Sequence, residues 1–167
     1  MERKVSRLVV WTTLLVLALA LAAPAAAGSQ RNFRAHLVGS NEVPAVVTNA
    51  QGQAIINISK DESSLEFKLI AADIENVTQA HIHCGAEGVA GPVVVFLYGL
   101  GPTVSPNGVL SEGVRTNANV IGRPDSAACP GGVANFADLV AKIRSGQAYV
   151  NVHTLQYPGG EIRGQLR

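Results

Sequence analysis

The chain has 167 residues, and four of its charged groups, Glu2, Arg3, Lys4 and Arg7, fall in the first seven. Without them ten basic and eleven acidic side chains remain, a net charge of −1 with no basic block, which argues against nucleic acid as a partner. Gly28 to Arg167 is enough chain for one domain with its own core.

Residues 1–27 have the pattern of a secretory signal peptide. A basic start is followed by a nearly unbroken apolar run, Leu8 to Ala23, and by Ala25-Ala26-Ala27 before Gly28. The competing role is an uncleaved anchor, because the apolar run is long for a signal. The mature protein is therefore expected to be secreted, periplasmic or held at the cell surface. It meets a membrane only if this segment stays attached.

From residue 32 onward the pattern is that of short strands. Asn32 to Gly39 alternates, with Phe33, Ala35 and Leu37 on one face and Arg34, His36 and Val38 on the other. Pro44 follows Ser40-Asn41-Glu42-Val43, and the Val-Pro pair predicts a rigid, exposed connection. Gly52 to Ser59 and Leu65 to Ala71 alternate around the polar turn Lys60-Asp61-Glu62-Ser63, a β-hairpin.

Ala80-His81-Ile82-His83-Cys84-Gly85 then places two of the four histidines two residues apart. On a strand such residues share a face, with Cα atoms roughly 6.5 Å apart. Pro92 to Tyr98 holds Val93, Val94, Val95 and Phe96 in a row, which suggests a strand covered on both faces. Val109 to Val114 predicts another strand, and Asn117 to Gly132 is irregular.

The one helix is short. Phe136, Leu139, Val140 and Ile143 form a single apolar stripe, Asn135 is the expected N-cap, and Gly146 the expected closing residue. Gln147 to Thr154 and Glu161 to Leu166 are the last strands. Tyr157-Pro158-Gly159-Gly160 turns the chain between them. Many short strands with one small helix predict an all-β fold, a Greek-key-like β-sandwich spanning residues 28–167.

Two cysteines in an exported chain suggest one disulfide, Cys84 to Cys129. The alternative is a pair of buried free thiols.

Four blocks in order resemble the signature segments of the CHRD domain. They are Leu37–Pro44, Ala80–Gly85 with Gly91-Pro92-Val93, Tyr149–Thr154, and Tyr157–Leu166. The domain takes its name from chordin, an extracellular antagonist of bone morphogenetic proteins. The resemblance implies a secreted β-sandwich without a well-established biochemical activity. A lone domain behind a signal is similar to the bacterial members. Nothing resembles the cysteine-rich modules of chordin, so growth-factor binding is not implied. A weaker likeness is to copper–zinc superoxide dismutase, whose copper-binding histidines His81, His83 and His153 resemble in order. No histidine lies between His83 and His153, so a zinc site of that type is absent.

His81, His83 and His153 are thus candidate ligands for one copper or zinc ion, with His36 as a candidate fourth ligand. Glu161, Arg163 and Asn151 are candidate supporting residues around them. The bland alternative has the histidines bonding backbone, Asn151 and Thr154 on a solvent-facing surface, with Glu161 and Arg163 as a solvated ion pair.

The remaining motifs assign little. Gly85 to Gly91 opens no helix, so a phosphate cradle is not indicated. Asn57 and Asn76 head glycosylation-type triplets. No nucleophile-elbow or helical zinc-protease motif is present, and no catalytic residue is assigned. Two functions follow: a non-catalytic module for an extracytoplasmic ligand or protein, or a metal-binding protein.

Overall fold

The computed structural model describes residues 30–99 and 101–167. The expected signal segment, residues 1–27, lies outside the described residues. Eight strands form one continuous antiparallel sheet: β1 Asn32–Val38, β2 Gln51–Ile58, β3 Ser64–Ala72, β4 Val77–Cys84, β5 Val93–Tyr98, β6 Gly108–Thr116, β7 Ala148–Thr154 and β8 Ile162–Gln165. The spatial order is β5-β4-β7-β8-β1-β2-β3-β6. Among the described residues the single α-helix, α1, Phe136–Arg144, precedes β7.

Alternation builds most of this. Phe33, Ala35 and Leu37 of β1, and Leu65, Phe67 and Leu69 of β3, all turn into the core. Residues 59–63 close the hairpin through Asp61, whose carboxylate accepts hydrogen bonds from Ser59 and Ser63. β5 departs from alternation. Its pairing with β4 slips in register at two places, and the adjacent Val94 and Val95 are both buried.

The sheet curls until its two edge strands meet, giving a near-barrel. Side chains make the closure: the Arg115 Nε and Nη2 groups of β6 donate to Phe96 O and Leu97 O of β5, at 2.7 and 3.1 Å. Ser111 Oγ adds a bond to Leu97 O at 2.9 Å. These bonds satisfy edge carbonyls that would otherwise offer a pairing template.

The helix forms where its stripe required. Asn135 Oδ1 accepts the Asp138 N–H at 3.0 Å, and Gly146 takes φ 69° just past the end. Phe136, Leu139, Val140 and Ile143 are buried. The irregular segment before it is tied down by the Cys84–Cys129 disulfide, with the two Cα atoms 5.4 Å apart. Cys84 faces the core on the side of β4 opposite His83, as alternation required. Among the described residues no helix is long and apolar enough to cross a membrane.

The disulfide closes a loop with a sequence separation of 45. In the chain-entropy model that stabilises the fold by about 4 kcal/mol. Replacing Cys84 by Ser is therefore expected to lower the free energy of unfolding by a few kcal/mol in non-reducing urea melts. Wild type and variant should come close together once the wild-type bond is reduced. An equal gap under both conditions would assign the loss to packing instead.

Candidate metal centre

The face of β4, β7 and β8 that points away from the core carries polar residues. The ladders place His81 opposite Asn151, and Asn151 opposite Arg163. His83 stands opposite Tyr149, and His153 opposite Gln79. Sequence alternation made this face solvent-exposed; the structure makes it buried. His81 is 2% exposed, His83 7% and His153 6%. The cover comes from loops. Arg163 Nε donates to Asn41 O at 2.6 Å and its Nη1 to Val89 O at 3.2 Å, which fastens both loops over the face.

The three rings converge. One nitrogen from each lies within 4.8 Å of the others. Their protons are placed by the neighbours. A carbonyl oxygen only accepts, so His83 Nδ1 is the protonated nitrogen toward Gly91 O at 2.9 Å. His153 Nδ1 is likewise protonated toward Pro158 O at 3.0 Å. In a neutral ring the other nitrogen is then a bare lone pair. His153 Nε2 therefore accepts from His81 Nδ1 at 3.1 Å, and that assignment leaves His81 Nε2 bare as well. His81 Nε2 and His83 Nε2 have no hydrogen-bond partner although both are buried.

Packing holds the rings in place. His83 stacks on Tyr149 at 4.8 Å between centroids, and the Arg163 guanidinium lies over the other aromatic neighbour of that stack, the Tyr149 ring, at 4.6 Å. Phe96 meets His81 edge-on at 4.3 Å. Gly91 is required where it is: a Cβ there would lie 1.7 Å from Cys84 O. Its carbonyl orients His83, while its N–H donates to Tyr149 Oη at 3.1 Å.

Several expected partners go elsewhere. His36 is exposed on β1, paired with Gln53 in the β1–β2 ladder, and is not in the cluster. Asn151 donates to both Glu42 oxygens, at 3.0 and 3.2 Å, and Thr154 donates to Glu161, so neither bonds an imidazole. Glu161 and Arg163 do not pair with each other in solvent. Both are buried; Glu161 accepts from Thr48 and Thr154, at 2.7 and 2.8 Å, while Arg163 faces Glu42 at 4.0 Å. The connection around Pro44 is exposed at Val43, but Glu42 beside it turns inward. Tyr149 and Phe96 are parts of the site that sequence inspection passed over. The signal for Tyr149 was present, since Tyr149, Asn151 and His153 alternate on one face.

Burial sets the protonation states. Desolvation, with a smaller push from the neighbouring rings, lowers the His81 pKa to about 3. Desolvation lowers His83 to about 4 against the opposing pull of its Gly91 bond, and it lowers His153 as well. Glu42 moves the other way: burial raises it to about 7, more than Arg163 and Asn151 lower it.

These shifts give a pH dependence with a definite sign. In the unfolded chain the imidazoles take up protons near pH 6.5, while in the fold all three take them up less readily, His81 and His83 only near pH 3 and 4. Acidification through pH 6.5 thus loads protons on the unfolded state and destabilises the fold. Glu42 opposes this, since its folded carboxyl holds a proton up to about pH 7. Three groups outweigh one. For chelator-treated protein, unfolding free energy should fall by on the order of 1–3 kcal/mol between pH 6.5 and 5. A pH-independent urea midpoint over that range would show that the rings are not desolvated.

A family model for the CHRD domain matches residues 33–166, a span that contains all three clustered histidines and both cysteines. No curated protein and no solved structure matches the chain. The likeness to copper–zinc superoxide dismutase therefore rests on histidine order alone. On the family match, which covers nearly all of the described residues, the chain belongs to the CHRD domain family.

Proposed function

We propose that this CHRD-domain protein is exported and holds one transition-metal ion, copper or zinc, through His81, His83 and His153. The observation that carries this is the pair of carbonyls behind the rings. Metal-binding histidines characteristically donate their remote N–H to a carbonyl or carboxylate, which turns the other nitrogen toward the ion. His83 does so to Gly91 and His153 to Pro158.

The lone pairs left over lack any other use. His83 Nε2 is buried without a partner, and so is His81 Nε2. His81 can serve through Nε2 directly, or through Nδ1 if its proton moves to Nε2. Two nitrogens on an ion about 2 Å away lie about 3.3 Å apart in a tetrahedral set. For the Nδ1 route, the 3.1 Å between His81 Nδ1 and His153 Nε2 is close to that, within a cluster whose three nitrogens lie up to 4.8 Å apart. Because the rings are neutral at neutral pH, an ion would not have to displace charge-bearing protons from them. Export is supported by the disulfide, a bond that persists in oxidising compartments.

The other role is a non-catalytic module for an extracytoplasmic ligand or protein, in which the histidines only register β4 against β7. The His81–His153 bond joins those two strands and favours this role. It leaves the two unpartnered Nε2 atoms without explanation.

Protein purified without a histidine tag, loaded with copper or zinc and desalted, is expected to retain one ion per chain by elemental analysis. His83→Ala should reduce retention to below about a tenth while circular dichroism stays that of a folded β protein. Absence of retained metal in the folded wild type would leave the binding-module role.

A further inference from the structure

Resting on that proposal, the geometry points to a narrower ligand: we infer that the three-histidine site is built for a monovalent, three-coordinate ion, Cu(I), and discriminates against Zn(II) and Cu(II). Three features of the surroundings carry this.

The first is charge. The cost of burying an ion grows with the square of its charge, so a monovalent ion incurs about a quarter of the desolvation cost of a divalent ion of like size. Buried dications normally recover that cost through an anionic ligand. Among the described residues no carboxylate or thiolate joins the three imidazoles. The carboxylates on this side of the sheet are committed: Glu42 to Asn151 and Arg163, Glu161 to Thr48 and Thr154. Cys84, next to His83, is in the disulfide and faces the core.

The second is field. The buried Arg163 guanidinium lies on Tyr149, and Tyr149 lies on His83. Arg163 and Arg123 both place positive potential at His83. That potential opposes a divalent ion twice as strongly as a monovalent one.

The third is coordination number. Rings that are 2 to 7% exposed, with Phe96 edge-on to His81, admit little solvent to supply a fourth ligand. Zn(II) ordinarily takes four ligands, and Cu(II) favours tetragonal sets. A closed-shell Cu(I) ion is content with three imidazoles in a plane.

The test is a competition on the full processed chain, kept in ascorbate under argon so that copper stays monovalent and the disulfide stays intact. Bicinchoninate reports Cu(I) affinity, and a chromophoric zinc chelator reports Zn(II) affinity. The expected result is one Cu(I) per chain, bound at least about 100-fold more tightly than Zn(II). X-ray absorption of the copper-loaded wild type should show a Cu(I) edge with three nitrogen scatterers, a readout independent of how variants fold. Equal or tighter binding of Zn(II), or of Cu(II) in a parallel titration without ascorbate, at one per chain and abolished in His83→Ala, would overturn the Cu(I) assignment and leave the metal-binding function standing. Failure of every ion to bind the folded protein would overturn both.

Discussion

The site depends on one constraint: a polar face of a β-sheet has been placed under cover. In an ordinary curled sheet the outward face meets water, and histidines there titrate near their usual values. Here Arg163 reaches from β8 to two backbone carbonyls, one in each covering loop, and is itself only 4% exposed. That places a buried cation in the network, and its positive charge has to be tolerated. The Tyr149 ring beneath the guanidinium and the carbonyls of Asn41 and Val89 are what tolerate it, with Glu42 at 4.0 Å adding a counter-charge once it ionises. The depressed imidazole pKa values, the fixed ring tautomers and the raised Glu42 all follow from the cover.

Much of this fold is written in two-residue alternation, and alternation has a limited vocabulary. It says which residues share a face. It assigned His81 and His83 to one side of β4 and Cys84 to the other, and it set Phe33, Ala35 and Leu37 inward on β1; the structure agrees in each case. It does not say what lies above a face. Every residue of β7 is buried, so the polar members of Ala148–Thr154 look like solvent-facing residues in sequence and are not. Glu161 and Arg163 show the same limit. Two residues apart with opposite charge, they look like a surface pair. Their partners, Thr48 and Glu42, lie in a loop more than a hundred positions away, a distance that only tertiary structure spans. β5 was legible through its lack of alternation instead, since the apolar run predicts a strand covered on both faces. A register slip breaks the period itself, so Val94 and Val95 both face inward.

Family membership and site chemistry carry different information. The CHRD match spans residues 33–166, and the strand order within that span brings β4 beside β7. It supplies no activity to this chain, since function resides in side-chain constellations grafted on a fold. The constellation here is made by four separate segments: two strands supply the imidazoles, and the residues around Gly91 and Pro158 supply the carbonyls that orient them. Each carbonyl sits in a turn rich in glycine and proline, where the backbone is not consumed by a ladder and its oxygen is free to point at a side chain.

That last feature bears on why the cluster is more than strand glue. If the histidines served only to register β4 on β7, the His81–His153 bond would suffice, and His83 would gain nothing from being buried with an empty Nε2. A buried acceptor without a partner costs about 1–3 kcal/mol, and there are two such nitrogens here. Apolar side chains of similar size would register the same strands without that cost. On the proposed function, a cluster that instead keeps two lone pairs bare, orients His83 and His153 through carbonyls, and holds the rings neutral by burial is arranged around something that accepts electron pairs. A proton is the acceptor that the lowered pKa values disfavour, and a metal ion is the one that they leave room for.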